Sequence, residues 1–253
     1  VGARRVVTPV VCSIGCTDPW NAAGLGLDIL ALSECGARPV TVVTGVTAQD
    51  RQGLAALHAV PRDVVAAQFE ALRDAGVRAY RVGALPDGAA AGAVAVQLAR
   101  ARVPVVYDPV LAASGGGRFA AAALVAGLLS AVTLLTPNLV EASELTGLPV
   151  DDVAGMEAAG SALRARGAAA VLVKGGHLGG AAVDVLVDEG GTVVFEASRL
   201  AGTLRGTGCL LACAAAAALA RGEPTRDAVV YARAFVRAKF LAGRAAGGMR
   251  LAY

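Results

Sequence analysis

Six near-continuous apolar runs, most of them rich in valine or leucine, alternate with alanine-rich segments along most of this chain, and that alternation restricts its fold more than any other feature. The runs are residues 6–14, 39–46, 79–83, 103–107, 131–135 and 170–173. None shows the strict apolar–polar alternation of a strand with one wet face, so each reads as a strand covered on both sides. Helical segments fall between or after them, near 25–35, 62–75, 89–101, 120–129, 139–146 and 156–166. Such a βαβ rhythm predicts an α/β fold: a central, mostly parallel sheet with helices on both faces, three layers in all. After Lys174 the rhythm changes. Residues 181–188 and 192–197, separated by Glu189-Gly190-Gly191, predict an antiparallel hairpin, and two helices follow near 208–220 and 227–245. With no low-complexity linker and no internal repeat, residues 1–253 read as one domain.

Composition removes several classes of function. Charged residues are 17% and the formal net charge is +3, without a dense Lys/Arg block, which argues against nucleic acid as a partner. Aromatics at 4% supply no base-stacking platform. The long uncharged stretch 119–140 is broken by Gly127, Ser130, Thr133, Thr136, Pro137 and Asn138, so it reads as a buried helix and strand, with no membrane partner implied. Residues 1–11 read as a first strand, with too short an apolar run for a signal peptide. Five cysteines without a Cys-x-x-Cys pair suggest neither a disulfide framework nor a zinc knuckle, and point to the cytoplasm. Two histidines exclude a multi-histidine metal centre.

In open α/β sheets, ligands bind beyond the carboxyl ends of the strands. Here those ends are followed by Gly15-Cys16-Thr17-Asp18-Pro19, Thr47-Ala48-Gln49-Asp50, Gly83-Ala84-Leu85, Asp108-Pro109-Val110, Thr136-Pro137-Asn138 and Lys174-Gly175-Gly176-His177. The same edge receives Gly206-Thr207-Gly208-Cys209, a tight turn opening a helix. A turn of this kind aims unpaired N–H groups and the positive end of the helix dipole at one spot, which suits an anion such as a phosphoryl group in transfer. The thiol of Cys209 is expected to have a lowered pKa there.

Taken in order, Gly-x-Thr-Asp-Pro, Ala-Gly-x-x-x-Asp, Thr-Ala-Gln, Asp-Pro-Val, Thr-Pro-Asn-x-x-Glu, Lys-Gly-Gly-His and Gly-Thr-Gly-Cys resemble the hydroxymethylpyrimidine/phosphomethylpyrimidine kinases of the ribokinase-like superfamily. The resemblance implies ATP- and Mg²⁺-dependent phosphorylation of hydroxymethylpyrimidine and then of its monophosphate, in thiamine biosynthesis. It implies an anion hole from Gly206, Thr207 and Gly208, with Cys209 accepting the hydroxyl proton. Ala23, Asp28, Gln49, Ala84 and Val110 would line the pyrimidine, with the Gln49 amide reading ring nitrogen and amino group together. Asn138, Lys174 and Thr207 would meet the nucleotide, and Asp108 and Glu141 the metal. Plainer readings stand beside these: Asp28 as a helix-surface charge, Gln49 as a solvent-facing loop amide, and Asn138 with Glu141 as a helix capping box. A homodimer is implied by the habits of the superfamily.

Departures from the pattern matter as well. Trp20-Asn21-Ala22 replaces a small Ser-Gly-Gly stretch, while Arg81 and Ala84 stand where the family has Lys and Met. A lysine is absent at Ala113, and Arg118 or Arg205 would have to compensate in the second phosphorylation. These changes keep two alternatives open, a pyridoxal or pyridoxine kinase and a catalytically weak binding relative.

Overall fold

A computed structural model of the protein describes residues 8–112, 117–119, 122–176 and 178–253. Its elements run β1 (Val10–Cys16), α1 (Gly24–Glu34), β2 (Arg38–Gln49), β3 (Leu54–Ala59), α2 (Arg62–Ala71), β4 (Val77–Val82), α3 (Gly88–Ala99), β5 (Val105–Tyr107), α4 (Ala122–Ala126) and β6 (Leu134–Leu135). The chain continues through α5 (Leu139–Thr146), α6 (Val153–Ala165), β7 (Ala170–Lys174), β8 (Ala182–Asp188), β9 (Gly191–Ala197), α7 (Thr207–Ala220), α8 (Thr225–Ala242), β10 (Arg244–Ala246) and β11 (Met249–Leu251).

Nine strands form one sheet in the order β3-β2-β1-β4-β5-β6-β7-β8-β9. The six from β2 to β7 are parallel, while β3, β8 and β9 attach through antiparallel pairings. The predicted α/β architecture is therefore present. From β1 the chain goes to β2 on one side and later returns to β4 on the other, so the order reverses beside β1. In open α/β sheets, ligands bind at such a reversal, beyond the carboxyl ends of the strands.

Two apolar layers flank the sheet. One packs α1, α7 and α8 against inward residues such as Val11, Ala79 and Val106. The other packs α2 to α6 against Ile14, Val82, Tyr107 and Val173. Helix α7 is hydrophobic all round, and every residue from Cys209 to Ala220 is buried. Its alanines let it lie between the sheet, α1 and α8 at once, so its N-terminus is fixed at the sheet edge.

Several boundaries differ from the sequence reading. Strand β2 extends to Gln49 and folds back into β3, an unpredicted strand whose Leu-Ala-Ala-Leu-His-Ala composition reads as helix. The last helix stops at Ala242, short of the predicted 245, and β10–β11 follow as a hairpin turned by Gly247 and Gly248, both at positive φ. The Gly-Gly pair was the available signal for that turn. The predicted helix 62–75 ends at Ala71, and the strand within 131–135 is reduced to Leu134–Leu135. Among the described residues, no helix is long and apolar enough to cross a membrane. Val6 and Val7 of the predicted first strand, and Ala120 and Ala121 of the predicted helix at 120–129, lie outside the described residues, as do Ala113 and His177.

The burial of α7 yields a prediction. Ala216→Leu adds volume where there is none, at a fully buried position. Overpacking of this kind costs about 1–3 kcal/mol. Urea unfolding should show a lower midpoint with an unchanged slope; an unchanged midpoint would mean that the layer around α7 has slack.

Candidate active site

A buried charge sets the geometry of the strand edge. Arg81, near the end of β4, is only 1% exposed. Its guanidinium turns back over Gly83, where a Cβ would lie 2.2 Å from Nη1. Nη1 pairs with Asp28 Oδ2 at 2.9 Å and Nη2 reaches Asp108 Oδ2 at 3.5 Å. Asp28, on α1, is fully buried; it also accepts from Ser13 Oγ at 2.6 Å and from Cys213 Sγ at 3.2 Å. The surface-charge reading of Asp28 is thus overturned. Burial raises its pKa, opposed by Arg81 and by the Ser13 and Cys213 hydrogen bonds.

Asp108 carries the chain of charge onward from the end of β5. Its Oδ1 accepts from Lys174 Nζ at 2.7 Å and from Thr136 Oγ1 at 3.3 Å. Burial pulls the Lys174 ammonium down, but the Asp108 and Glu141 carboxylates more than offset it and hold its pKa above the ordinary value. Glu141 is pushed up to about 7, by burial first and by Asp108 also, against Lys174 and the Asn138 N–H. Asn138 and Glu141 do form the capping box: Asn138 N–H donates to Glu141 Oε2 at 2.8 Å, and Glu141 N–H donates to Asn138 Oδ1 at 2.9 Å. The Asn138 and Lys174 backbones pair as a parallel bridge, placing Asn138 next to the lysine that pairs with Asp108.

The turn before α7 closes over this lattice. Gly206 is the N-cap at φ +80, and a Cβ there would lie 2.3 Å from both the Ala22 carbonyl oxygen and Leu27 Cδ2. A Cβ on Gly208 would lie 3.1 Å from Lys174 Nζ and 3.2 Å from Asp108 Oδ2. The sequence therefore folds the Gly206–Gly208 turn directly against the Asp108–Lys174 pair. Cys209 follows as a buried residue. Its thiol is raised to about 11, by burial first; Arg81 opposes this, Asp28 and Asp108 add to it, and the Gly24 N–H works against it. The expected depression at a helix N-terminus is corrected here, because desolvation outweighs both the dipole and Arg81.

On the other flank, Asp18 organises the Trp20-Asn21-Ala22 loop by accepting from the N–H groups of Trp20, Ala22 and Ala23. That leaves Ala23 half-buried beside the anion turn. Ala84 and Val110 are half-buried, the Ala84 carbonyl being held by Thr44 Oγ1 at 2.9 Å. Gln49 lies at a bulge ending β2, buried, with Oε1 accepting from Arg205 Nη2 at 3.1 Å. The solvent-facing reading of Gln49 is overturned. Trp20 lies over Gly247 of the β10–β11 turn, where a Cβ would be 2.5 Å from the indole. Arg118 pairs with Glu144, one turn after Glu141 on α5.

In the sequence Arg81 stands out only as a departure from a pattern and Thr136 only as part of a strand-end segment, while Ser13 and Cys213 carry no signal of a role. An arginine inside the apolar run Ala79-Tyr80-Arg81-Val82 was itself the signal, since a fully buried cation demands partners.

The sequence model of the phosphomethylpyrimidine kinase family matches residues 18–250. A Mycobacterium tuberculosis protein named hydroxymethylpyrimidine/phosphomethylpyrimidine kinase is 39% identical over 253 aligned positions, covering 94% of this chain and 92% of that protein. A thiamine biosynthesis bifunctional protein of Geobacter sulfurreducens is 36% identical, covering 90% of this chain and 48% of that longer protein. Among solved structures, the ADP complex of Bacillus subtilis pyridoxal kinase superposes with a TM-score of 0.86 at 27% identity, covering 94% of this chain and 93% of that one.

Glu141 gives the site a measurable pH signature. Its native pKa, about 7, lies above its unfolded value, so between the two the folded state holds more protons and stability falls as pH rises. Glu141→Gln fixes the neutral form and retains an oxygen for the Asn138 N–H. In metal-free buffer its denaturation midpoint should exceed that of the wild type by a margin that grows from pH 4.5 to about 7.5 and is level above. A margin that is independent of pH would show that Glu141 is not held protonated by its surroundings.

Proposed function

The chain belongs to the phosphomethylpyrimidine kinase family, and from that premise we propose that it phosphorylates hydroxymethylpyrimidine and then the resulting monophosphate, using ATP, in thiamine biosynthesis. The observation that carries this reading is the packing of the Gly206–Gly208 turn against the Asp108–Lys174 pair at the strand edge. A phosphoryl group in flight needs donors for its equatorial oxygens and cations for its charge, and little covalent help. The turn supplies the N–H groups, and Lys174 stays charged.

In the first step the hydroxymethyl oxygen bonds to the γ-phosphorus, the bond from that phosphorus to the ADP oxygen breaks, and the hydroxyl proton passes to Cys209 in its thiolate form, giving the thiol. Thr207, Asn138 and Lys174 hold the nucleotide side. Gln49 reads the pyrimidine edge, and Ala23, Ala84 and Val110 form its small apolar wall. Asp28 acts through Arg81, which it fixes, and so has a positioning role. Among the described residues, no three His, Cys, Asp or Glu side chains gather as a metal cage. Mg²⁺ takes one or two carboxylates, keeps waters and binds phosphates. Asp108 and Glu141 are the oxygen donors that would hold it, and its charge would neutralise the phosphates.

The direct test supplies ATP and Mg²⁺ with hydroxymethylpyrimidine, its monophosphate and pyridoxal separately, and follows ADP and phosphorylated product. Turnover on both pyrimidines supports the reading; turnover on pyridoxal alone replaces it with a pyridoxal kinase; binding without turnover makes the protein a sensor. The raised thiol adds a second prediction. If Cys209 takes the proton, kcat should climb as pH rises from 7 to 10, because the thiolate fraction grows toward its pKa of about 11. Cys209→Ala should abolish the climb and lower kcat by ~10²–10⁴-fold, with KM for ATP unchanged. A climb that survives in the variant would remove Cys209 as the base.

A further inference from the structure

We propose that Arg205 is a specificity-determining residue: by fixing the orientation of the Gln49 amide, it decides which edge of a heteroaromatic ring the protein accepts. The inference rests on the reading that Gln49 faces the pyrimidine. A guanidinium has five donors and no acceptor, so only the oxygen of a neighbouring amide can face it. Arg205 Nη2 donates to Gln49 Oε1 at 3.1 Å. The assignment of amide oxygen and nitrogen is therefore dictated by the chemistry of the partner.

Arg205 is itself held. Its Nη1 donates to the Asp50 carbonyl at 2.6 Å and approaches Met249 Sδ at 3.4 Å. Its backbone N–H donates to the Arg250 carbonyl at 3.1 Å. The next residue, Gly206, is clamped against Ala22 by its positive φ and the lack of a side chain. Two hairpins far apart in sequence, β2–β3 and β10–β11, thus converge on one guanidinium. The Nε2 of Gln49 has no hydrogen-bond partner among the described residues.

The consequence is a fixed code. Gln49 presents its N–H donors and the second lone pair of Oε1. An aminopyrimidine offers a ring nitrogen that accepts and an amino group that donates, so both bonds form. The corresponding pyrimidinone offers a ring N–H and a carbonyl oxygen, the reversed pair. To read it the amide would have to turn over, which would set its NH₂ against Arg205, donor against donor. Arg205 thereby blocks the reversed edge as well as supporting the correct one.

The experiment compares kcat/KM for the aminopyrimidine alcohol and the matching pyrimidinone alcohol in the wild type, Arg205→Met, Arg205→Lys and Arg205→His. The wild type should prefer the aminopyrimidine by ~10³-fold or more, as sites that leave buried donors unpaired do. In Arg205→Met the preference should fall to about tenfold or less, partly through gain on the pyrimidinone, with KM for ATP unchanged. Arg205→Lys, still donor-only, should keep it. Arg205→His, whose ring can turn a donor or an acceptor to the amide, should narrow it, and carries the test if the methionine variant does not fold. A folded Arg205→Met that retains the full preference, or loses both substrates equally, overturns the inference. If the wild type turns over neither compound, the pyrimidine reading falls; calorimetric binding of the same pair, wild type against variant, then decides the role of Arg205. Wild-type protein that binds neither overturns both.

Discussion

The pairing of Arg81 with Asp28 and Asp108 is the interaction on which the functional edge depends. A guanidinium only 1% exposed is expensive to desolvate, and it is tolerable only because two carboxylates meet it. Those carboxylates come from different elements: Asp28 from α1, Asp108 from the end of β5. The one cation therefore ties a helix on one face of the sheet to a strand two places away from β1. Asp108 passes the constraint to Lys174 at the end of β7, and the Asn138 backbone bridge passes it to the capping box of α5. Removing Asp28 would leave the buried Arg81 with Asp108 alone, at 3.5 Å, and removing Asp108 would take from Lys174 its partner at 2.7 Å, so each member constrains the next.

Burial creates a conflict at the mouth of α7. To place an anion turn against Asp108 and Lys174, the helix must sit deep between sheet and helices, and its alanine-rich sequence permits that. The same depth removes water from Cys209 and raises its thiol, although the helix dipole and Arg81 both favour the thiolate. Positioning and proton affinity are set by one structural choice and pull in opposite directions. A loose phosphoryl-transfer transition state tolerates this, since charge stabilisation matters more there than a strong base.

Legibility in the sequence followed the same physics. Strands buried on both faces announce themselves as apolar runs, so the parallel half of the sheet was readable, as were α5 with its Asn-x-x-Glu cap and the glycine turn at 206. The alanine-rich β3 was not, because local propensity there favours helix and pairing with a neighbour decides otherwise, and β6 is shorter than the apolar run that announces it. At the site, residue types were legible while partnerships were not. Asp28, read at first with a surface alternative, proves to be a counter-ion to a cation that lies in another strand. Gln49 and Arg205, some 156 positions apart, meet only because two hairpins fold toward each other. No periodicity encodes such a meeting.

The two halves of the edge also differ in kind. On the Lys174 side, everything is built from parallel strand ends and a helix N-terminus, and the chemistry offered is charge: N–H groups, an ammonium, carboxylates. That side suits any nucleoside triphosphate and says little about the acceptor. On the Gln49 side, antiparallel additions do the building: a bulged β2–β3 hairpin, a C-terminal hairpin under Trp20, and an arginine joining them. Hairpins can change length and register without disturbing a parallel core, so this is where a shared scaffold acquires a preference among acceptors. The arginine at 205 stands on the boundary: its side chain meets Gln49 and Asp50 of the β2–β3 hairpin, and its backbone leads into the Gly206 turn that opens α7.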